Sequence, residues 1–322
     1  MASFLVLGGA GFIGSHMTEH LLRRSEGRVK VYDNFSSGQD WHLEGLDRSR
    51  LTVLRGDIKE LPRLQAAMQR DDLVIHFASN PDIARAIKEP SIDFWEGTYL
   101  TQNVLEVMRQ SGARDLLYVS GSGVYGDRGE DPCSEADGCL QPISAYGASK
   151  LACEAMICAY CHMFDFRAVA FRFANVVGPR QTHGVTYDFV RKLQRDPTRL
   201  PILGDGSQSK AYIHVDDVVS AMLGRYDAGM SGYEVFNVAT EDYVTVREVA
   251  DLVVHRMGLS DVQYEFTGGS RGWKGDVPVV RFDSRKLRSH GWAPQRSSRE
   301  ALEDAIDGAI RETQGKNLKS VA

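Results

Sequence analysis

The sequence predicts an α/β protein built on a doubly wound parallel β-sheet, with a smaller α/β part after it. Over residues 1–174, strand-sized apolar runs alternate with helix-sized amphipathic segments. The runs are apolar at nearly every position, which is typical of parallel strands covered by helices on both faces. After about Asn175, loops rich in glycine and proline interrupt this alternation.

These observations divide the chain into three predicted regions. Residues 1–174 form the sheet domain, and residues 175–314 mainly form the second part. We expect the chain to return to the sheet around residues 211–240. Residues 315–322 are predicted to be a frayed tail, because terminal residues without packing partners order poorly.

The predicted elements alternate in a regular order. The strands are Ser3–Leu7, Val29–Asp33, Leu51–Arg55, Leu73–Phe77, Leu116–Ser120 and Ala168–Phe173. The helices between them are Phe12–Arg24, Leu61–Gln69, Ser91–Ser111 and Ala145–His162. In the second part, we predict helices at Asp188–Arg195, Val246–Met257 and Leu302–Thr313, and a glycine-rich loop at Thr267–Gly275.

Composition excludes several classes of protein. The chain has 322 residues, with 38 Lys and Arg against 43 Asp and Glu, so its net charge of −5 gives no general attraction to nucleic acid or anionic membrane. No apolar run is long enough to span a bilayer, and no secretory signal is apparent, so a cytoplasmic location is predicted.

Cys158 and Cys161 have redox-motif spacing but lie late in an apolar helix, which favours buried thiols over redox or metal roles. No metal site is predicted.

A glycine-rich segment, Gly8-Gly-Ala-Gly-Phe-Ile-Gly14, joins the first strand to the first helix. Gly8 permits the tight turn, Gly11 lets a pyrophosphate approach the backbone, and Gly14 lets the helix pack on the strand. The free amides of the helix start then bind the pyrophosphate. A flexible turn is the alternative, but the flanking strand, helix and downstream acid favour a Rossmann-type nucleotide site, in which Phe12 and Ile13 also take part.

The acid that supports this interpretation is Asp33, at the end of the second strand. A carboxylate there binds the ribose hydroxyls and repels a 2′-phosphate, which favours NAD over NADP. Asp57, after the third strand, either bonds the adenine amino group or is an ordinary turn acid. The remaining predicted contacts to NAD lie at strand ends, where ligands bind in such sheets. They are Asn34, Ile58, Phe77 and Ala78.

Tyr146 and Lys150 are four residues apart and therefore share one face of a predicted helix. A neighbouring ammonium and a positive nicotinamide would stabilise the phenolate and lower the pKa of Tyr146. Such a tyrosine can take a hydroxyl proton while hydride leaves the same carbon. The pair alone is common by chance; after a Rossmann-type start and the run Val119–Gly126 it indicates a reactive centre.

At this point the chain resembles the extended short-chain dehydrogenases/reductases of the nucleotide-sugar epimerase and dehydratase family, over nearly its whole length. Phrases at 183–189 and 271–277 are most similar to archaeal-type UDP-glucose 4-epimerases. The motifs that carry the resemblance are Gly8–Gly14, Asp33, Gly56-Asp57, Val124-Tyr125-Gly126, Tyr146 with Lys150, Arg172–Asn175, Gly178-Pro-Arg180, His183-Gly-Val185, Tyr212–Asp216 and Asp283–Leu287.

The resemblance implies a tightly bound NAD, oxidation of a UDP-sugar at C4, a change of the 4-keto intermediate and return of the hydride. Tyr146 would be the base for the 4-hydroxyl, and Lys150 would hold the ribose and tune Tyr146. Lys210 and Arg271 would neutralise the diphosphate; solvated surface charges are the alternative for these two. The substrate-binding set that the resemblance implies is Asn175, His183, Val185, Lys210, Arg271 and Asp276.

One position departs from the family. The family's catalytic serine or threonine lies three residues before the Val-Tyr-Gly phrase, where this chain has Gly121. Ser120 and Ser122 flank it, but neighbours on a strand point to opposite faces. The Asp-Glu pair of 4,6-dehydratases is replaced by Ser122-Gly123, although Ser122 remains a candidate catalytic residue.

The interpretation favoured is therefore 4-epimerisation of a UDP-hexose or UDP-hexosamine, because an epimerase needs fewer groups. One alternative is a 5,6-dehydratase that converts UDP-N-acetylglucosamine to an exo-glycal, as in tunicamycin-type antibiotic biosynthesis. Another is a non-catalytic NAD-binding regulator, against which Tyr146 and Lys150 argue. Family members commonly dimerise through two long helices, here 91–111 and 145–162, and a homodimer is expected; the alternative is that these helices only cover the sheet.

Overall fold

A computed structural model describes residues 2–24 and 26–319, with side chains up to residue 314. By its internal contacts the chain forms two compact units. Unit 1 comprises residues 1–124, 144–172 and 219–236, and unit 2 comprises residues 125–143, 173–218 and 237–322. Within the described part of the chain, no helix is both long and apolar enough to cross a membrane.

The strands and helices follow in chain order. The strands are β1 Ser3–Leu7, β2 Arg28–Asp33, β3 Leu51–Arg55, β4 Asp72–His76, β5 Asp115–Gly121, β6 Pro132–Cys133, β7 Arg167–Phe173, β8 Asn175–Val177, β9 Arg199–Ile202, β10 Ser209–Lys210, β11 Tyr212–His214, β12 Tyr233–Val238, β13 Val244–Thr245, β14 Gln263–Phe266 and β15 Arg281–Phe282. The helices are α1 Phe12–Arg24, α2 Leu61–Ala67, α3 Tyr99–Ser111, α4 Ala145–Phe164, α5 Val185–Arg195, α6 Val215–Asp227, α7 Val246–Arg256, α8 Arg285–Ser289 and α9 Ser298–Lys319.

The principal sheet has seven strands in the order β12-β7-β5-β4-β1-β2-β3. The pairs β1–β2, β1–β4, β2–β3 and β4–β5 are parallel. After β3 the chain crosses back to β4 on the other side of β1, so strand order reverses between β1 and β4. In doubly wound sheets, ligands bind beyond the carboxyl ends of the strands at this reversal. The predicted α/β fold class is confirmed, and the six predicted strands match the observed bounds within one residue.

Buried apolar side chains of the strands hold unit 1 together. The neighbours Leu5 and Val6 of β1, and Val74 and Ile75 of β4, are all fully buried, which explains why the middle of these strands is continuously apolar. Unit 2 has a core of its own, in which side chains of α5, α7 and α9 pack with β9. That core accounts for the amphipathic pattern of these helices.

Three predicted helices differ by three or more residues from those observed. The helix predicted from Asp188 begins three residues earlier, at Val185. The predicted helix 91–111 contains a π-helical turn, Phe94–Thr98, before α3. A Cβ at Gly97 would lie 2.4 Å from the Ser149 hydroxyl, so the irregular turn coincides with very close packing on α4. The closing helix α9 is longer than predicted and continues to Lys319. The rest of the predicted frayed tail, residues 320–322, lies outside the described residues.

Candidate active site

The glycine loop lies against the end of β4. Gly8 adopts a positive φ of 79°, and a Cβ on it would stand 2.8 Å from the backbone nitrogen of Ala78. A Cβ on Gly14 would stand only 2.2 Å from the carbonyl oxygen of Gly8. The sharp turn and the close helix start therefore require glycine at these positions. The result is a backbone cradle at the start of α1 that fits the pyrophosphate of a dinucleotide.

The acids predicted to contact the cofactor are grouped at the next strand ends. Asp33 is buried and accepts hydrogen bonds from the amides of Ala10 and Phe35 at 2.9 and 2.8 Å. Burial raises the pKa of its carboxyl, and the two amides oppose that rise. Asn34 donates a 3.0 Å hydrogen bond to Asp57, so these two predicted residues are brought together.

The other residues predicted to bind the cofactor extend this site. Phe77 and Ala78 directly follow β4, and the amide of Phe77 donates to the carbonyl of Leu7 at 2.9 Å. Phe12 and Ile58 are buried, and Ile13 is half-buried at the start of α1. The cofactor assignments of these individual residues stay predictions.

Tyr146 and Lys150 lie on α4, whose first turn is capped by Ser144 through a 3.1 Å hydrogen bond from the amide of Gly147. Lys150 is buried and donates to the carbonyl of Val119, at the end of β5, at 2.7 Å. Its ammonium stands 5.5 Å from the ring centre of Tyr146. The helix thus holds an ammonium beside the phenol, at the carboxyl end of the sheet.

The pKa values of Tyr146 and Lys150 differ in part from the prediction. Burial lowers the pKa of Lys150 to about 8. Burial, and then the charges of Asp93 and Cys153, raise the pKa of Tyr146 above its ordinary range. The chain's own residues therefore do not lower the pKa of the phenol, and the lowering predicted from the sequence requires a positive charge from a bound ligand.

Gly121 ends β5 and faces the tyrosine. A Cβ built at this position has the Tyr146 hydroxyl oxygen, at 3.9 Å, as its nearest heavy atom beyond its chain neighbours. A serine or threonine here would have its Cβ beside Tyr146; the family resemblance implies that the hydroxyl of such a residue hydrogen-bonds the 4-hydroxyl of the sugar. Ser122 instead begins a short 3-10 turn, Ser122–Tyr125, and is half-buried.

A buried ion pair that the sequence analysis did not identify supports this region. The Nε and Nη2 atoms of the Arg172 guanidinium donate to Glu154, at 3.0 and 2.7 Å, and both side chains are only 5% exposed. The hydroxyl of Ser120, directly before Gly121, donates to the same carboxylate at 2.5 Å. The only sequence signal was an acid in the apolar stretch of α4, four residues after Lys150.

Asp93 is a second residue that the sequence analysis missed. It precedes the π-helical turn, is 2% exposed, and accepts a hydrogen bond from Asn80 at 2.9 Å. Its backbone carbonyl accepts from the hydroxyl of Ser149 at 2.7 Å, which ties it to α4. Nothing in the local sequence indicated this position, because the packing on α4 creates it.

Unit 2 brings together three of the predicted substrate-binding residues. Lys210 forms a 2.7 Å ion pair with Asp276, which also accepts from the amide of Gly272 at 3.0 Å. Arg271 donates to the backbone carbonyl of Asp276 and pairs with Asp127. Both predicted diphosphate cations are thus held by carboxylates.

The remaining three predicted residues lie elsewhere in unit 2. Asn175 begins β8, where it lies opposite the buried Tyr212 of β11 in the parallel pairing of these strands. His183 is exposed, and Val185 begins α5 after Gly184, whose φ is 96°. The structure therefore brings Lys210, Arg271 and Asp276 into one cluster, and the substrate-binding roles of all six residues stay predictions.

The cysteines and the possible metal ligands are the remaining reactive groups of the described residues. All five cysteines are free thiols, and burial raises the pKa of Cys161 to about 11. Across the described residues, no group of histidine, cysteine and carboxylate side chains is arranged to hold a metal ion.

Comparisons with known proteins identify the class. A family model described as the NAD dependent epimerase/dehydratase family matches residues 4–239. The UDP-glucose 4-epimerase of Mycolicibacterium smegmatis is 31% identical over 312 residues, covering 94% of this chain and 97% of that protein. A solved UDP-galactose 4-epimerase is 36% identical with a TM-score of 0.86, covering 96% and 99% of the two chains. The dTDP-glucose 4,6-dehydratase of Streptomyces venezuelae, solved with NAD, is 27% identical with a TM-score of 0.89, covering 97% and 98%.

The fold and the comparisons together define an NAD-dependent enzyme. The chain belongs to the NAD-dependent epimerase/dehydratase family and is an extended short-chain dehydrogenase/reductase. Its cofactor is NAD, as predicted, and its chemistry is of the nucleotide-sugar epimerase and dehydratase type.

Proposed function

We propose that this protein is a 4-epimerase of a UDP-hexose or UDP-hexosamine. The observation that carries the proposal is the Tyr146–Lys150 pair on α4, beside a β5 end at which Ser122-Gly123 supply no acid–base pair for elimination. An epimerase needs one group that takes the proton of the 4-hydroxyl and returns it. The epimerases among the relatives support the same outcome.

In this proposal each group has one task. Bound NAD⁺ would accept the hydride from C4, and the positive charge of its nicotinamide would lower the pKa of the Tyr146 phenol. Tyr146 takes the proton from the 4-hydroxyl and later gives it back to the C4 oxygen; the configuration inverts because the hydride would return to the opposite face of C4. Lys150 keeps its ammonium beside the phenolate and holds the ribose of the cofactor. Gly8, Gly11, Gly14 and Asp33 hold the dinucleotide.

The substrate would be bound by residues of unit 2. We propose that Asn175, His183 and Val185 hold the nucleotide, and that the Lys210, Arg271 and Asp276 cluster receives the diphosphate. For that, the two cations exchange part of their pairing with carboxylates for phosphate oxygens, which bind arginine and lysine more strongly. The cytoplasmic location stays a prediction.

The second candidate is dehydration after oxidation at C4, including 5,6-dehydration of UDP-N-acetylglucosamine to an exo-glycal. It is favoured by Gly121, which faces Tyr146 without the hydroxyl that the family resemblance implies there. Oxidation at C4 acidifies the C5 hydrogen, so loss of the 6-hydroxyl requires only a modest acid and base. Ser122 is the candidate group at this position.

Product mass tests the proposal. Purified holoenzyme is incubated with UDP-glucose and, separately, with UDP-N-acetylglucosamine, and the products are analysed by mass spectrometry and NMR. A new sugar of unchanged mass supports the epimerase, and loss of one water replaces that assignment with the dehydratase. Absence of any new species with either substrate contradicts both.

We also propose a homodimer through the helices at 91–111 and 145–162. Phe94 and Trp95 are about half exposed and stack edge-to-face at 5.0 Å, and Met163 is 69% exposed. Large exposed apolar groups at neighbouring positions are typical of interfaces. Size-exclusion chromatography with light scattering should give a dimer for the native protein and a monomer for Trp95→Glu. A native monomer contradicts the proposal.

A further inference from the structure

The Lys150 ammonium is buried without a counter-ion. Among the described residues, no carboxylate lies within ion-pair distance of its Nζ. One hydrogen bond holds it, the 2.7 Å bond to the carbonyl of Val119. A buried charge is costly unless the groups around it compensate for the lost water, so the other neighbours of this ammonium must contribute.

Two tyrosine rings surround the ammonium where a counter-ion would otherwise stand. Its Nζ lies 5.1 Å from the ring centre of Tyr118 and 5.5 Å from that of Tyr146. The face of an aromatic ring attracts a cation within about 6 Å of its centre, and the attraction is stronger where water is excluded. Tyr146 is the proton acceptor of the proposed function, whereas Tyr118 has no task in it.

Neighbouring strands and helices fix the Tyr118 ring on the α4 side of the sheet. Ser120, two residues further along β5, donates to Glu154 of α4, and side chains two apart on a strand share a face. From β4, the ring centre of His76 lies 5.7 Å from that of Tyr118. The Nε2 of His76 is in turn 3.2 Å from the hydroxyl of Thr101 on α3. The buried ring is therefore held from two elements besides its own strand.

A ring supports a working lysine differently from a carboxylate. A carboxylate in contact with the ammonium would cancel much of its charge toward Tyr146. The face of a ring stabilises the cation and adds no net charge. The positive charge of Lys150 thus stays effective toward the phenol, where the proposed function needs it.

We propose that Tyr118 is a positioning residue, whose ring face holds the Lys150 ammonium charged and in place at the end of β5. Tyr118 acts through Lys150 and touches no reacting atom. The role of Lys150 in turnover rests on the proposed function, whereas the state of its ammonium can be measured without turnover.

The other ionisable groups around Lys150 leave the sign of the expected change clear. Burial lowers the pKa of this lysine to about 8. Three groups raise that pKa, in decreasing order Cys153, Glu154 and Asp93. His76 is kept neutral by burial, which lowers its pKa to about 3. All four groups remain when only the ring is removed, and the ring favours the ammonium. Its loss should therefore lower the pKa of Lys150 further.

The first test titrates Lys150 in the holoprotein. Lysine isotopically labelled at Cε is followed by NMR against pH, and Lys150→Arg assigns its signal. Tyr118→Leu removes the ring and should lower the Lys150 midpoint by roughly one pH unit. Tyr118→Phe keeps the ring without the hydroxyl and should leave the midpoint near its native value. A native midpoint in Tyr118→Leu overturns the proposal, and so does an equal shift in Tyr118→Phe.

Two further variants keep this test decisive. Tyr118→Met also lacks the ring but fills the space with a flexible apolar chain, so it should show the same fall even if Tyr118→Leu does not fold. Phe166→Leu, directly before β7, is the matched control, because it removes a buried ring that lies over a different cation, Arg114, at 5.2 Å. It should leave the Lys150 midpoint unchanged. A shift in this control as large as that in Tyr118→Met overturns the proposal.

The second test uses turnover of a UDP-sugar and depends on the proposed function. Lys150 must be an ammonium to act, so a lower pKa moves the alkaline limb of the kcat/KM profile to lower pH. In Tyr118→Leu this limb should move as far as the titration midpoint, and in Tyr118→Phe it should stay in place. A shifted midpoint without any turnover supports the role of Tyr118 and contradicts only the proposed function. An unmoved midpoint overturns the role of Tyr118 whatever the turnover.

Discussion

Gly14, in the first turn of α1, and Gly121, at the end of β5, are both glycines of the candidate site, but the fold constrains them very differently. A Cβ at Gly14 would meet the backbone oxygen of Gly8 at 2.2 Å, which no real structure allows. A Cβ at Gly121 would meet only the Tyr146 hydroxyl oxygen, at 3.9 Å, an ordinary contact. The first glycine is required by sterics; the second has room for a side chain.

The glycine loop and the position beside Tyr146 are therefore expected to serve different purposes, cofactor binding and control of the reaction. The glycine loop keeps its family pattern because backbone atoms fill the space around it. At Gly121 the backbone does not require glycine, so the missing hydroxyl is a chemical feature of the site. We therefore expect position 121 to influence the fate of the oxidised sugar, and the following variants probe that contrast.

The largest effect is expected from Tyr146→Phe, which removes the proton acceptor and leaves the glycine loop intact. Turnover of the UDP-sugar should fall roughly a thousandfold or more, since general acid–base groups contribute on that scale. NAD released from the denatured protein, measured by chromatography, should equal that of the native enzyme. Full activity in this variant would remove Tyr146 from its proposed role.

Glu154→Gln tests whether the buried ion pair with Arg172 stabilises the end of β5, next to Gly121. The neutral amide leaves the Arg172 guanidinium buried without its counter-charge, so the free energy of unfolding should drop by about 3 kcal/mol. Chemical denaturation gives this value. Glu106→Gln, on an exposed pair with Arg109, is the control and should cost at most about 0.5 kcal/mol. Equal losses in the two variants contradict a supporting role for the buried pair.

Gly14→Ala tests whether sterics require a glycine at the start of α1. The methyl group collides with the backbone of the loop, so the start of α1 must move, at a cost of about 2 kcal/mol of stability. The displaced amides should also lose most of the bound NAD. Thermal unfolding and NAD content report the two effects. A variant with native stability and full NAD occupancy would show that the loop tolerates a side chain.

A feature of the fold or site can be predicted from the sequence when the interactions that cause it lie within a few residues of each other. The glycine loop and the Tyr146–Lys150 spacing were predicted because strand, turn and helix geometry act over a few residues. The strands were predicted because burial on both faces makes them continuously apolar. The bounds of α2 and α7 also agree with the prediction within two residues.

What the sequence did not predict depends on contacts between distant segments. The π-helical turn at 94–98 exists where Gly97 packs on Ser149, more than fifty residues later, so the local pattern there still indicates an ordinary helix. Asp93 gains its significance from the same packing. Lys210 pairs with Asp276, 66 residues later, and Arg271 pairs with Asp127, 144 residues earlier. The local sequence therefore did not show that carboxylates hold both predicted diphosphate cations.

Gly121→Ser tests the chemical half of the contrast, with the smallest expected effect. Because the site has room, stability should change by no more than about 0.5 kcal/mol. The new hydroxyl can donate to the phenolate or to the 4-hydroxyl of the sugar, and one such bond to a charged group corresponds to about a tenfold faster oxidation at C4.

Gly121→Ala, which adds the carbon without the oxygen, is the matched control. Transient reduction of NAD, followed by absorbance after mixing with substrate, measures this step directly. If Ser and Ala give the same rate, the hydroxyl is not what this site lacks; if Ser speeds oxidation while the product changes from a dehydrated to an epimerised sugar, the single atom at position 121 selects between the two fates.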